Sequence, residues 1–365
     1  MEPLKNVYSP VFFDALCTAM QLSFPSFSTD DFKRLIYSKD WENKALKARM
    51  QHISESLHAC LSENLADNIT ALQIANAELN QRHKMRGFEA MFFPDYVARF
   101  ALHDFKLAMP ALAFFTSYSS AEFAIRPFIL RYPEAAMQQM LEWATHDNAH
   151  IRRLASEGCR PRLPWAMQLP AFIQDPAPIL PILTLLKEDA SAYVRKSVAN
   201  NLNDIAKDHP ALVYQTAKSW LGKNRHTDQL IKHACRTMLK QGIPQTLKLF
   251  GYTPADHIQI ADFKHTIEVP WQGSLQFSLT LQSKESIGKI RLEFALSFMK
   301  KNGRPHRKVF QISEFESNAL NKSIVKNFSF RPMSTRTYYP GNHKLDIILN
   351  GQTVASGNFT LRPSS

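Results

Sequence analysis

Residues 147–163 read DNAHIRRLASEGCRPRL, residues 189–205 read DASAYVRKSVANNLNDI, and residues 227–243 read TDQLIKHACRTMLKQGI. Aligned at Ile151, Val194 and Ile231, the three stretches are spaced by 43 and then 37 residues. Each continues an apolar residue with a pair of basic or histidine side chains and then runs on as an amphipathic helix. A loose period of about 40 residues built from helix pairs is the signature of a HEAT-type solenoid. Repeats of this kind stack in parallel, so that one helix from each lines a shared concave face.

The helical pattern extends from residue 8 to about residue 250. In SPVFFDALCTAM, Phe12, Phe13, Leu16 and Met20 fall at helix spacing behind the start signal of Ser9 and Pro10. A second helix start is expected at Ser28 or Thr29, with Asp30 and Asp31 in its first turn. Near residue 255 alternation takes over: HTIEVPW, SLQFSLTLQ, KIRLEFALSF, KVFQISEF, SIVKNFSF, HKLDIILN and TVASGNFTL. Asn302-Gly303 and Asn350-Gly351 read as hairpin turns between these seven runs. The expected architecture is an all-α HEAT-like repeat solenoid over 1–254 followed by an all-β immunoglobulin-like sandwich over 255–365.

Bulk composition fits two packed domains. A chain of 365 residues exceeds one hydrophobic core, and 45% apolar residues argue against disorder. The net charge of +12 and a pI near 9.5 point to a polyanionic partner, with nucleic acid ahead of an anionic membrane. Residues 255–365 carry 15 Lys and Arg against 8 Asp and Glu, notably Lys300, Lys301, Arg304, Arg307 and Lys308 in KKNGRPHRK. Cys17, Cys60, Cys159 and Cys235 form no C-x-x-C and suit a reduced compartment. The N-terminus lacks the basic and apolar regions of a signal peptide, and no apolar run approaches the roughly 20 residues of a membrane span. A soluble, cytoplasmic protein is expected.

The repeat alignment places Arg152, Arg195 and Lys232 in one row and Arg153, Lys196 and His233 in the next. Rows of cations on a concave face suit a duplex backbone, each repeat meeting another phosphate. The alternative is that these arginines bridge to acidic residues of neighbouring turns and only brace the stack. Glu157 lies four residues after Arg153, on the same helix face. Glu122, in SSAEFAIRPFI, lies four residues before Arg126. The two glutamates are either structural ion-pair partners or carboxylates meeting at one point of the concave face. Trp165 follows RPRLP, where it either plugs a gap between repeats or stacks on a nucleotide while Arg160 and Arg162 hold phosphates. His146, Asp147 and His150 are spaced as metal ligands, but no further ligand group stands nearby to complete a site. Walker, H-E-x-x-H and Gly-x-Ser-x-Gly motifs are absent from the sequence.

Together, the repeats, LKARMQHISESL (46–57), SSAEFAIRPFI, HIRRLASEGCRPRLPW and the C-terminal sandwich resemble the AlkC branch of the HEAT-like-repeat alkylpurine DNA glycosylases. The resemblance runs from about residue 8 to the end. It implies base-excision repair in a bacterial cytoplasm, associated with the nucleoid. Cationic N3-alkylated bases, chiefly 3-methyladenine and also 3-methylcytosine, would be removed from double-stranded DNA. Glu157 and Glu122 would be the carboxylates nearest the scissile bond, Trp165 would contact the lesion nucleotide and Arg153 would help hold the backbone. It implies no metal or organic cofactor, no membrane, no obligate protein partner and a monomer acting by hydrolysis without strand cleavage. The rival readings are a non-catalytic HEAT-repeat DNA-binding protein and a scaffold whose positive charge meets an acidic protein.

Overall fold

The computed structural model describes residues 3–38, 40–83, 87–333 and 336–363. Its helices are α1 (Pro10–Ser23), α2 (Thr29–Ile36), α3 (Leu46–Cys60), α4 (Leu65–His83), α5 (Phe92–Phe100), α6 (Phe105–Thr116), α7 (Arg126–Arg131) and α8 (Pro133–Trp143). They continue as α9 (Ala149–Gly158), α10 (Pro170–Gln174), α11 (Leu180–Leu186), α12 (Ala192–Ile205), α13 (Pro210–Trp220), α14 (Arg225–Ala234), α15 (Arg236–Lys240) and α16 (Pro244–Leu249). The start signals act as read. Ser9 accepts a hydrogen bond from the Phe12 amide with Pro10 in the first turn, and Ser28 caps α2 through the Asp31 amide.

The chain divides into two compact units. One runs through Val213 and includes Trp220–Ala234; the other comprises Tyr214–Ser219 and the chain from Cys235 onward. In the first, α9, α12 and α14 pack side by side in that order, and Ile151, Val194 and Ile231 are all buried between them. The repeat alignment therefore marks equivalent core positions. Gly158 ends α9 where a Cβ would lie 2.6 Å from Ile125 and 2.9 Å from Met140, so only glycine lets this helix end approach its neighbours so closely. Among the described residues no helix is long and apolar enough to cross a membrane.

The second unit is a sandwich of two sheets. Its strands are β1 (Ile258–His265), β2 (Glu268–Val269), β3 (Ser274–Ser283), β4 (Gly288–Met299), β5 (Pro305–Ser317), β6 (Asn321–Ser329), β7 (Gly341–Leu349) and β8 (Gln352–Leu361). The sheet orders are β1-β3-β6 and β2-β8-β7-β4-β5. Alternation along β3 and β4 sends Leu275, Phe277, Leu279 and Leu281 against Leu292, Phe294, Leu296 and Phe298. The first expected run, HTIEVPW, spans the end of β1 and the separate short β2, and β1 itself starts earlier, at Ile258. Its opening, Ile258 to Phe263, carries no clear apolar alternation, so the start escaped the pattern.

Asn350-Gly351 makes a two-residue turn between β7 and β8, with both residues at positive φ (43° and 85°). Asn350 also joins the sheet to the chain that enters it. Its side-chain amide donates to Thr253 O (2.7 Å) and Lys289 O (3.2 Å), and its carbonyl accepts from Arg291 N (2.7 Å). In Asn302-Gly303, by contrast, only Gly303 has positive φ, inside a longer connection from Met299 to Pro305. Gly351→Ala places a Cβ 2.5 Å from Leu247 at a φ that L-residues resist. It is expected to cost about 1–3 kcal/mol, read as a lowered urea midpoint of the full chain with unchanged helical circular dichroism.

Candidate active site

In the first unit, a cleft of about 530 Å³ opens beside the C-terminal half of α9. Leu46, Met50, Phe88, Met91 and Phe123 give it an apolar wall, while Glu122, Arg153, Glu157 and Arg160 line its charged end. Trp165, His150 and Tyr193 stand at the same opening. An apolar wall with a few converging polar groups is the arrangement of a small-ligand or base pocket.

The two glutamates come together through one arginine. Glu157 sits in the last turn of α9 and is only 5% exposed. Its Oε1 accepts from Arg160 Nη1 (2.6 Å) and is 3.4 Å from Arg153 Nη2; its Oε2 accepts from Ser197 Oγ (2.6 Å). Arg153 Nη1 pairs with Glu122 Oε2 and also donates to Ser120 Oγ (2.5 Å), which in turn donates to Glu122 Oε2 (2.6 Å). Glu122 does not lie on a helix but in the turn leading into α7. Glu122 therefore shares no helix face with Arg126, despite the four-residue spacing, and pairs with Arg153 of α9.

Arg126 points away from the cleft and is fully buried. It donates to Gly158 O (2.8 Å), Arg160 O (2.8 Å) and Met167 O (2.7 Å), and burial pushes its guanidinium down to about 10. These bonds pin the loop that follows α9 at both ends. Lys47 of α3 holds the middle, donating from Nζ to Trp165 O (2.7 Å) while lying over the Phe123 ring. Between these anchors Trp165 adopts φ 65°, a left-handed conformation unfavourable for a bulky residue, and the residue is 67% exposed. It does not plug a gap between repeats; the loop presents it at the cleft mouth.

Several arginines expected to meet phosphates are instead engaged within the protein. Arg152 grips Asp189 at both oxygens (2.6 and 3.0 Å) and donates to the carbonyls of His146 and Asp147. Arg160 is buried between Glu157 and Asp204, the latter at 2.8 Å. Arg162 forms a two-point pair with Asp208 (2.8 and 2.9 Å), and Arg153 spans the two catalytic candidates. The pairs with Asp189, Asp204 and Asp208 join one repeat to another, and a planar guanidinium meets each carboxylate in fixed geometry. Arg195 ties the carbonyls of Asp189 and Ala190, yet with Lys196, His226 and His233 it also lines a groove between α12 and α14. Lys196 and His233 are exposed there; Lys232 is half-buried. In the second unit, Lys300, Lys301, Arg304, Arg307 and Lys308 are all exposed on or beside the β4–β5 connection, with Arg307 reaching Asp346 at 3.5 Å.

Sequence reading missed Ser197, Tyr193, Lys47 and Asp204. Tyr193 precedes the aligned Val194 by one residue and lies 5.2 Å from the Arg153 guanidinium, its ring edge-on to His150. Burial raises its hydroxyl's pKa above the ordinary value, against the opposing pull of Arg153. Ser197 occupies a position filled by Leu154 and Ala234 in the other repeats, so a polar residue at a core position was its one signal. Lys47 reaches across 118 residues and carried none.

Two consequences follow for stability. Arg160→Met leaves Glu157 and Asp204 as buried carboxylates short of a partner, which is expected to cost about 3–5 kcal/mol, measured by denaturant unfolding. Asp189 gives a pH signature. Burial opposes its ionisation, but bonds from Arg152 and the Ser191 amide outweigh this and hold its carboxyl below the usual 3.8. A depressed folded-state pKa contributes stability that is complete above the unfolded value and is lost as pH falls through the folded one. The stability difference between wild type and Arg152→Gln is therefore expected to be largest at neutral pH and to shrink below about pH 4, as urea midpoints across pH will read.

Known proteins share this architecture. The family described as DNA alkylation repair enzyme matches residues 43–238, and "Uncharacterised protein YhaZ, C-terminal Ig-like domain" matches residues 259–363. YhaZ of Bacillus subtilis (strain 168) is 41% identical over 361 residues, covering 98% of this chain and 99% of that one. The solved structure of Pseudomonas fluorescens alkylpurine DNA glycosylase AlkC, bound to DNA containing an abasic site analog, matches with a TM-score of 0.93. That match has 35% identity and covers 99% of this chain and all of the other. The resemblance drawn from the sequence motifs is borne out. With one family matched over more than half its length, the chain belongs to the DNA alkylation repair enzymes.

Proposed function

We propose that this protein is a monofunctional DNA glycosylase that hydrolyses the N-glycosidic bond of cationic N3-alkylated bases in double-stranded DNA, 3-methyladenine foremost and 3-methylcytosine next. The observation that carries the reading is the gathering of Glu122 and Glu157 by Arg153 in the wall of one cleft, beside an exposed Trp165. Full-length similarity to AlkC, whose structure holds abasic-site DNA, supports it.

The chemistry suits the groups present. Alkylation at N3 leaves the base cationic, so it departs as a neutral molecule with the bonding electron pair and needs no general acid. Positive charge then builds on the deoxyribose, and a carboxylate stabilises it best where water is excluded, as in the hydrolysis of sugar glycosides. Glu157, buried and held at both oxygens, suits that electrostatic role. Glu122 is less enclosed by donors: its Oε1 meets none among the described residues, which suits it to accept a proton from the attacking water. Water's oxygen bonds to C1′, the C1′–N bond breaks, and the water proton passes to carboxylate or solvent. Trp165 stacks on the lesion nucleotide. Backbone phosphates meet the exposed Lys196 and the α12–α14 groove, and the basic β4–β5 connection serves the same purpose in the second unit. No amine nucleophile is assigned, so the abasic strand stays intact.

The test is release of 3-methyladenine from methylated duplex, compared at matched DNA occupancy. Wild type is expected to release the base, and Glu157→Gln and Glu122→Gln to lower the rate by about 10²–10³ while binding DNA at least as well. Tight binding by wild type without base release would leave a DNA-binding repeat protein instead.

A further inference from the structure

Glu157 is anchored from two directions. Arg160 and Arg153 approach Oε1 from its own helix and the loop behind it, whereas Ser197 approaches Oε2 from α12 of the next repeat. A carboxylate held at one oxygen still swings its second oxygen about that anchor; a bond at each oxygen fixes its plane. Arg160 hydrogen-bonds to Oε1 with Arg153 as a second ion-pair partner at 3.4 Å, and Ser197 is the donor on Oε2.

We propose that Ser197 is a positioning residue for Glu157, setting the direction in which its Oε2 meets the reacting sugar. This rests on the hydrolytic reading above. Three observations carry it. Ser197 is 2% exposed and Ser156 fully buried, so no bulk water substitutes for the hydroxyl. The direction of donation is fixed, because a carboxylate oxygen accepts: the Ser197 proton goes to Glu157 Oε2 (2.6 Å), and Ser156 Oγ, whose single proton is shared between Arg153 O (3.1 Å) and Ser197 Oγ (2.7 Å), lies behind it. Lastly, the equivalent residues of the other repeats are Leu154 and Ala234, both buried and apolar. Packing alone asks for an apolar side chain here, and a buried hydroxyl is unfavourable without a partner. Its partner is the carboxylate.

The surrounding charges do not replace it. Arg153 is shared with Glu122, and Arg160 with Asp204, which Lys207 also contacts at 2.9 Å. Tyr193 stands beside Arg153 rather than on Oε2.

The experiment measures single-turnover release of 3-methyladenine and duplex affinity for the full chain carrying Ser197→Ala, Ser197→Thr, Ser197→Cys, Glu157→Gln and Glu157→Gln with Ser197→Ala. Ser197→Ala is expected to slow release roughly 10- to 100-fold, the worth of a hydrogen bond to a charged group, with DNA affinity unchanged. Ser197→Thr restores most of the rate, and Ser197→Cys, similar in shape but a weaker donor, gives an intermediate one. In the Glu157→Gln background Ser197→Ala has no further effect, because the two act as one unit. A wild-type rate for Ser197→Ala or Ser197→Cys overturns the inference. So does an equal loss from Ser197→Ala with Glu157 present or absent, which marks a merely structural role. Glu157→Gln at the wild-type rate overturns the hydrolytic reading itself, and that result is distinct from a silent Ser197.

Discussion

A carboxylate kept inside a protein wall needs cations and hydrogen-bond donors against it, and the first unit is organised around that requirement at Glu157. Arg160 and Arg153 face one oxygen and Ser197 the other. Each of these groups has a second obligation: Arg160 to Asp204, Arg153 to Glu122, Ser197 to Ser156. Removing charges from water is expensive, and only full pairing in good geometry repays it. The same bonds that compensate Glu157 therefore also join the turn before α7, α9 and α12 into one polar seam. The seam is polar where neighbouring interhelix positions, such as Val194 and Ile231, are apolar.

The loop after α9 shows the same economy. Arg126 and Lys47 together hold three of its carbonyls and that of Gly158 at the end of α9, and a bulky tryptophan is kept in a left-handed conformation between them. Strain of this kind persists where surrounding bonds over-determine the backbone. Its result is an exposed indole at a fixed place on the rim of a cleft, next to two carboxylates. Cations in this region thus act mainly on the protein itself, whereas Lys196 in the α12–α14 groove and the Lys and Arg side chains of the β4–β5 connection are exposed.

The sandwich follows a simpler logic. Strict alternation in β3 and β4 supplies the two inner faces, and Asn350-Gly351 both turns the chain and ties the sheet to Thr253. Arg291 and Glu293, on the opposite face of β4, are buried as a pair at 2.6 Å, with Glu314 beside them. Burial raises the Glu293 carboxyl above its ordinary range despite Arg291.

Much of this was legible in the sequence because it is periodic. Helix spacing, the 43- and 37-residue repeat, the caps at Ser9 and Ser28 and the strand alternation are local consequences of 3.6- and 2-residue geometry, and each survived folding. Glu157, Glu122 and Trp165 were singled out by motif, and Arg153 by its row in the repeat alignment. What the sequence alone left open was whether each arginine faces outward or inward. That depended on acidic partners 37, 44 and 46 residues away, at Asp189, Asp204 and Asp208. The turn that carries Glu122, the grip of Lys47 on Trp165 and the hydroxyl of Ser197 on Glu157 were likewise settled only in three dimensions. Periodicity determines which face of an element is buried; the pairing of charges across elements depends on distances that only the packed repeats create.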